Sequence, residues 1–234
     1  MLIRFGNDRK TQMLVRTLVL SILLMLTVGI RAQGCSLVKD IYPGSLSTPG
    51  SAISLGGKAL IFQALHPIYG NELFKLDANG AGLLKDVFSG PFFGRPSDLT
   101  SFWNGSKVLA VFNAKDSIMG REPWVTDGTT AGTQPLKDIH PGWNRDSECK
   151  QFTACGNDLF FMAWTKATGR ELWVTDGTTK GTRLVTELQP GFYGSNPTHL
   201  TTCRGRLYFF AVTDNAPRVG TCGRQTVRPP ARAE

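Results

Sequence analysis

An octapeptide that returns after about fifty residues constrains this chain more than any other feature. Glu122-Pro123-Trp124-Val125-Thr126-Asp127-Gly128-Thr129 comes back as Glu171-Leu172-Trp173-Val174-Thr175-Asp176-Gly177-Thr178. A worn copy, Glu72-Leu73-Phe74-Lys75-Leu76-Asp77, precedes both, so the three glutamates lie 50 and 49 residues apart. A second motif keeps the same phase: Leu37–Gly44, Leu83–Gly90, Pro135–Gly142 and Leu184–Gly191 read L-V-K-D-I-Y-P-G, L-L-K-D-V-F-S-G, P-L-K-D-I-H-P-G and L-V-T-E-L-Q-P-G. A third element is a short apolar run at 59–62, 108–112, 158–162 and 206–210.

Each unit thus holds four short β segments separated by turn residues. In the third unit they are Gln151–Ala154, Leu159–Trp164, Glu171–Thr175 and Arg183–Leu188. Gly156-Asn157, Thr168-Gly169, Asp176-Gly177-Thr178 and Pro190-Gly191 supply the reversals. Asp-Gly suits a tight hairpin because glycine reaches positive φ without a Cβ clash. No stretch after the first 32 residues sustains a 3.6-residue apolar period, so helix is not expected there. Four strands at a period near 50 is the arithmetic of a propeller blade. The expected fold is all-β: a propeller-like array of four-stranded blades, incomplete, preceded by an N-terminal signal helix. The units run over about 37–82, 83–134, 135–183 and a partial 184–215. A linear β solenoid or a sandwich array remains open.

These strings resemble the ELWxxDGT repeat family of secreted, mostly bacterial proteins. The resemblance covers Leu37 to about Phe210, and the specific strings lie at 122–133 and 171–182. It implies architecture and export rather than a particular chemistry. The first unit departs from the pattern: Phe74 stands for Trp and Asn79-Gly80 for the D-G-T turn, as in a terminal, degenerate blade.

Export is also written at the N-terminus. Arg4, Arg9, Lys10 and Arg16 precede an uncharged, mostly apolar run from Thr17 to Ile30, and Arg31-Ala32-Gln33 offers a small residue for cleavage. That is a secretory signal peptide over 1–32, and its run is too short to span a bilayer in the usual way. An uncleaved anchor and a lipid on Cys35 are the rival readings, giving membrane contact through the signal segment or that lipid alone. The formal charge of +8 resides largely at the two ends. Residues 1–32 carry net +4 and residues 216–234 net +3, leaving 33–215 nearly neutral. Nucleic acid is therefore not an expected partner. The cysteines 35, 149, 155, 203 and 222 show no zinc spacing; structural disulfides or buried thiols are the expectation, and no metal or cofactor is expected.

After Phe210 the pattern lapses. Residues 216–234 are basic, Pro-containing and non-periodic, the composition of a disordered tail. They also permit a second explanation. Read with each triplet begun at the third base of the old one, degenerate codons allow G-R-[DN]-L-W-x-T-D-G-T-x-x-G-T. A disordered or out-of-frame tail is expected, with the last blade short of its outer two strands.

For chemistry, Asp127, Asp176, Thr129 and Thr178 read as turn caps rather than as a calcium or sugar site. Glu122, Trp124, Gly128, Glu171, Trp173 and Gly177 likewise read as parts of the repeat, the two tryptophans packing between blades. Trp103, Trp143 and Trp164 fall outside the repeated motif and are the candidates for ligand contact. His66, His140 and His199 form no catalytic motif, so no catalytic residue is assigned. The function expected is an exported, non-enzymatic scaffold or binding module with a glycan or cell-surface protein as partner, part of a larger surface protein. The alternatives are a polysaccharide-acting hydrolase using acids such as Asp98, Asp146 or Glu148, and a non-functional fragment of a disrupted gene.

Overall fold

A computed structural model of the chain describes residues 37–213 and 222–227. The expected signal helix over 1–32 lies outside these residues. What is described is all-β, without a helix, in four open antiparallel sheets. The first comprises β1 (Ala52–Leu55), β2 (Ala59–His66), β3 (Gly70–Asp77) and β4 (Gly80–Lys85). The second comprises β5 (Ser97–Trp103), β6 (Val108–Lys115), β7 (Arg121–Thr126) and β8 (Gln134–Pro135), and the third β9 (Lys150–Cys155), β10 (Asp158–Thr165), β11 (Gly169–Thr175) and β12 (Arg183–Thr186). In the fourth, β13 (Thr198–Cys203) and β14 (Arg206–Val212) are followed by β15 (Cys222–Val227).

Every sheet is a simple meander in sequence order. The apolar run forms its second strand, and in the second and third sheets the E-[LP]-W-V-T string forms the third. Alternation across the pleat explains why both strands are apolar on two sides. On β6, Ala110, Phe112 and Ala114 pack toward the first sheet, with Leu55, Ile61, Leu73 and Leu84. From the other face of the same strand, Leu109 and Val111 pack toward Leu159 of the third sheet. Phe160, Leu172 and Val174 repeat the arrangement against Leu207, Phe209 and Ala211 of the fourth. Neighbouring sheets also touch through their first strands, β1 with β5, β5 with β9 and β9 with β13.

Two features differ from the sequence reading. The sheets begin later than the repeat boundaries: β4 runs across 82/83 and β8 across 134/135. Self-similarity supplies a period but no phase, and the L-x-K-D motif closes a sheet rather than opening one. Within the segment read as a non-periodic tail, Cys222–Val227 is a strand paired with β14, in the place where the other sheets carry the strand of the repeat glutamate. Any extended segment can satisfy the open N–H and C=O row of an edge strand, since backbone pairing needs no particular side chains. The rest of 216–234 lies outside the described residues.

Candidate functional site

The groove at one end of the sheets is built by the loops that join each fourth strand to the next first strand. Those loops are held from beneath by the repeat glutamates. Glu72, Glu122 and Glu171 are fully buried, each pointing from a third strand into the loop that follows. Glu72 accepts hydrogen bonds from the N–H groups of Val87 (2.8 Å), Phe88 (3.3 Å) and Gly94 (2.7 Å). Glu122 accepts from Ile139 (3.0 Å) and His140 (3.4 Å) and interacts with the Ser147 hydroxyl. Glu171 accepts from Leu188, Gln189 and Ser195, the last through both N–H and Oγ. Burial pushes the carboxyls of Glu72 and Glu122 up to about 7, against the pull of these backbone donors. Asp86 and Glu187, the acids of the second motif, close the same loops by accepting from Gly90 and Gly191 N–H.

With the loops so anchored, their tips face water. Phe92, Phe93, Trp143, Phe192 and Tyr193 are all well exposed. The first strands of the second, third and fourth sheets each carry a left-handed residue at a bulge. Asp98 (φ 57°), Gln151 (φ 61°) and His199 (φ 56°) occupy matching places beside register shifts, where an extra residue re-aims the side chains.

The result is an open polar cavity of about 510 Å³ with Arg95, Asp98, Asn113, Arg121, Asp146 and Glu148 in its wall. A second space, about 340 Å³, shares Asp146 and Glu148 and continues to Arg170, Trp164, Phe192 and Tyr193. Trp164 is half-buried, set edge-on to His140 (4.4 Å) and Phe192 (6.0 Å). Arg170 pairs with Glu148. Arg121 donates from Nη1 to the Arg95 carbonyl (3.0 Å), while its own N–H bonds Asp146 Oδ1 (2.8 Å). Burial pulls the Arg121 guanidinium below its ordinary value, and nearby Asp146 opposes that. Asp98 accepts from Ser97 Oγ and Asn113 Nδ2. The side-chain oxygens of Asn71 and Asn113, also in the wall, are buried with no hydrogen-bond donor among the described residues. Such a wall offers donors, acceptors and an aromatic face together, the equipment for a hydroxyl-rich ligand.

The three tryptophans proposed for ligand contact do not converge. Trp164 lines the groove; Trp143, 82% exposed, stands on a loop tip at the same end of the sheets. Trp103 closes β5 at the opposite end of the strands, half exposed. Trp124 and Trp173 are buried between sheets. Asp127 and Asp176 lie in matching turns, each accepting from the N–H and Oγ of Thr129 or Thr178. Gly128 and Gly177 hold those turns at φ 85° and 88°. Among the described residues no cluster of His, Cys, Asp and Glu could hold a metal. Among the described residues Cys149, Cys155 and Cys203 form no disulfide.

Sequence reasoning did not single out Arg121, Arg170, Phe192 and Tyr193. The signals that could have found them are the aromatic residues that follow the P-G or S-G of the later units, as in Phe92-Phe93, Trp143 and Phe192-Tyr193, and the arginine before the repeat glutamate in Gly120-Arg121-Glu122 and Gly169-Arg170-Glu171. No protein-family model matches the chain, and neither does any curated protein.

Proposed function

We propose that the chain is an exported, non-enzymatic binding module, a propeller-like array of the ELWxxDGT type that takes a glycan in the loop-end groove. One observation carries the reading: Trp164, Phe192 and Tyr193 flank the same space as Arg170, Asp146 and Glu148. Aromatic faces take the C–H face of a sugar ring, and the ion-paired polar groups take its hydroxyls. Export is supported by the basic head and apolar run of residues 1–32. Propeller-like stacking is supported by the contacts between successive first strands. The test is a glycan-array screen of the secreted chain, followed by titration of Trp164→Ala and Tyr193→Ala. Loss of glycan binding by roughly tenfold or more in both is expected. Retained binding in both, or capture of a protein in place of any glycan, overturns the assignment.

A second reading has its own observation. Asp98, Asp146 and Glu148, the acids considered for a hydrolase, all line the first cavity. A glycosidase needs two carboxyl groups flanking one bond, but here Asp146 and Glu148 are tied to Arg121 N–H and the Arg170 guanidinium. Release of reducing ends from a bound polysaccharide, abolished by Glu148→Gln or Asp98→Asn, would establish the hydrolase in place of the module.

A further inference from the structure

The opposite end of the strands carries a cavity of its own. At the seam between the second and third sheets, the Asn104 Nδ2 of the β5–β6 turn donates to the Asp176 carbonyl (3.3 Å) and ties that turn to the next D-G-T loop. At the seam between the first and second sheets, the matching turn is Gly56-Gly57-Lys58, which has no amide side chain to reach across. Both glycines are left-handed, at φ 60° and 72°, and a Cβ added at Gly128 of the D-G-T loop would meet the Leu55 side chain. A space of about 610 Å³ remains there, within the range of ligand sites.

Its lining is particular. Trp103 is half exposed, and Lys58, Lys75 and Lys107 face two acids, Asp77 and Asp127. Lys75 pairs with Asp77 (2.9 Å) and Lys107 with Asp127 (2.8 Å). Lys58 has no ion pair among the described residues and sits on the exposed turn. Asp127 is held down at about 2 by Lys107 foremost, so the acids here stay ionised at neutral pH. One aromatic platform, two neutralised pairs and one uncompensated ammonium remain.

We propose that this cavity is a second carbohydrate site, specific for an acidic sugar of the uronate class. The ring lies on Trp103, the carboxylate meets the Lys58 ammonium, and the Lys75–Asp77 and Lys107–Asp127 pairs take hydroxyls. An exposed ammonium attracts a carboxylate over a range that salt shortens to about 10 Å at 0.1 M. The site shares no residue with the loop-end groove, so it stands whether or not a glycan binds there. With both sites filled, one molecule would bridge two polysaccharide strands.

Titration of the intact exported chain with an oligogalacturonate, against a neutral cello-oligosaccharide of equal length, tests it. The expected result is uronate binding weakened ~10-fold or more by Trp103→Ala or Lys58→Glu, with any binding of the neutral sugar unaffected by either substitution. Uronate binding should also weaken on going from about 0.05 to 0.5 M NaCl and be unchanged in Trp164→Ala. Circular dichroism checks that each variant folds; Lys58 is exposed, so Lys58→Glu keeps the test available should Trp103→Ala unfold. Neutral-sugar binding that Trp103→Ala and Lys58→Glu weaken as much as uronate binding, no binding of the uronate, or loss through Trp164→Ala instead of Trp103→Ala would each overturn the proposal. The last of these would leave the loop-end reading intact.

Discussion

A carboxyl group withdrawn from water is costly unless its oxygens gain donors, and the three repeat glutamates gain them from the loops above. A glutamate with a solution value of 4.5 that sits at about 7 when folded, as Glu72 and Glu122 do, binds its proton more tightly in the folded chain. Its contribution to stability is therefore full below about pH 4.5 and is lost as pH rises through 7. Urea midpoints measured from pH 4.5 to 8 should fall across that window, and the fall should be smaller in Glu122→Gln. A variant with an unchanged slope would contradict the assignment. Gly132 and Gly181 show a second constraint at this scale: a Cβ at either would collide with the Asp127 or Asp176 carboxylate. Gly132→Ala should cost about 1–3 kcal/mol by breaking the Asp127 cap of Thr129, read as a lower thermal midpoint. In the D-G-T strings the turn and its capping aspartate were readable from residue order, because those bonds span only two or three positions. The burial of glutamate was not, since its donors lie 15 to 24 residues away.

Between elements, stability resides in the seams. Trp124 lies 4% exposed against the first sheet, 6.4 Å from the Phe112 ring, and Trp173 occupies the matching place beside Phe161. Their indole N–H groups find no acceptor among the described residues, so both are held by apolar contact, consistent with Phe74 serving at the corresponding place in the first unit. Trp124→Ala should cost about 3–5 kcal/mol, and Trp124→Phe much less, in chemical denaturation. Equal losses would mean that the indole ring contributes more than its packing. Pro135 shows sequence and pairing acting together: it lacks an N–H and stands on an edge strand, which shrinks to Gln134–Pro135. The corresponding strand in the first unit, with leucines, runs from Gly80 to Lys85. Strand identity was readable throughout the third unit, because short apolar runs bounded by turn residues depend only on local residue types. The strand at 222–227 was not, because its partner rather than its own composition decides it.

Across the described array, each sheet packs on the sheets before and after it in sequence, so coupling should pass from neighbour to neighbour. Phe112→Ala empties a position facing the first sheet. Hydrogen exchange should quicken most in β1–β4 and least in β13 and β14; uniform acceleration would mean the sheets unfold as one unit. Thiol chemistry reads the same burial. Cys149 and Cys155 are buried and Cys203 exposed, and burial raises the Cys149 thiol well above its ordinary value. Peptide mapping after native alkylation should find Cys203 modified and Cys149 and Cys155 protected until denaturant is added.

By itself the sequence determined the unit: its period, its four strands, its turns and the apolar character of its central strands. All of these follow from contacts within a few residues or from alternation across one pleat. Only the tertiary structure decided where one sheet ends and the next begins, which carboxylates are buried, and which side chains share a cavity. Asp98 and Glu148 meet beneath loops from different units, and Trp103 faces lysines 28 and 45 residues away in the chain. Such meetings depend on how one sheet stacks on the next, and stacking is set by the summed fit of two surfaces rather than by any local motif.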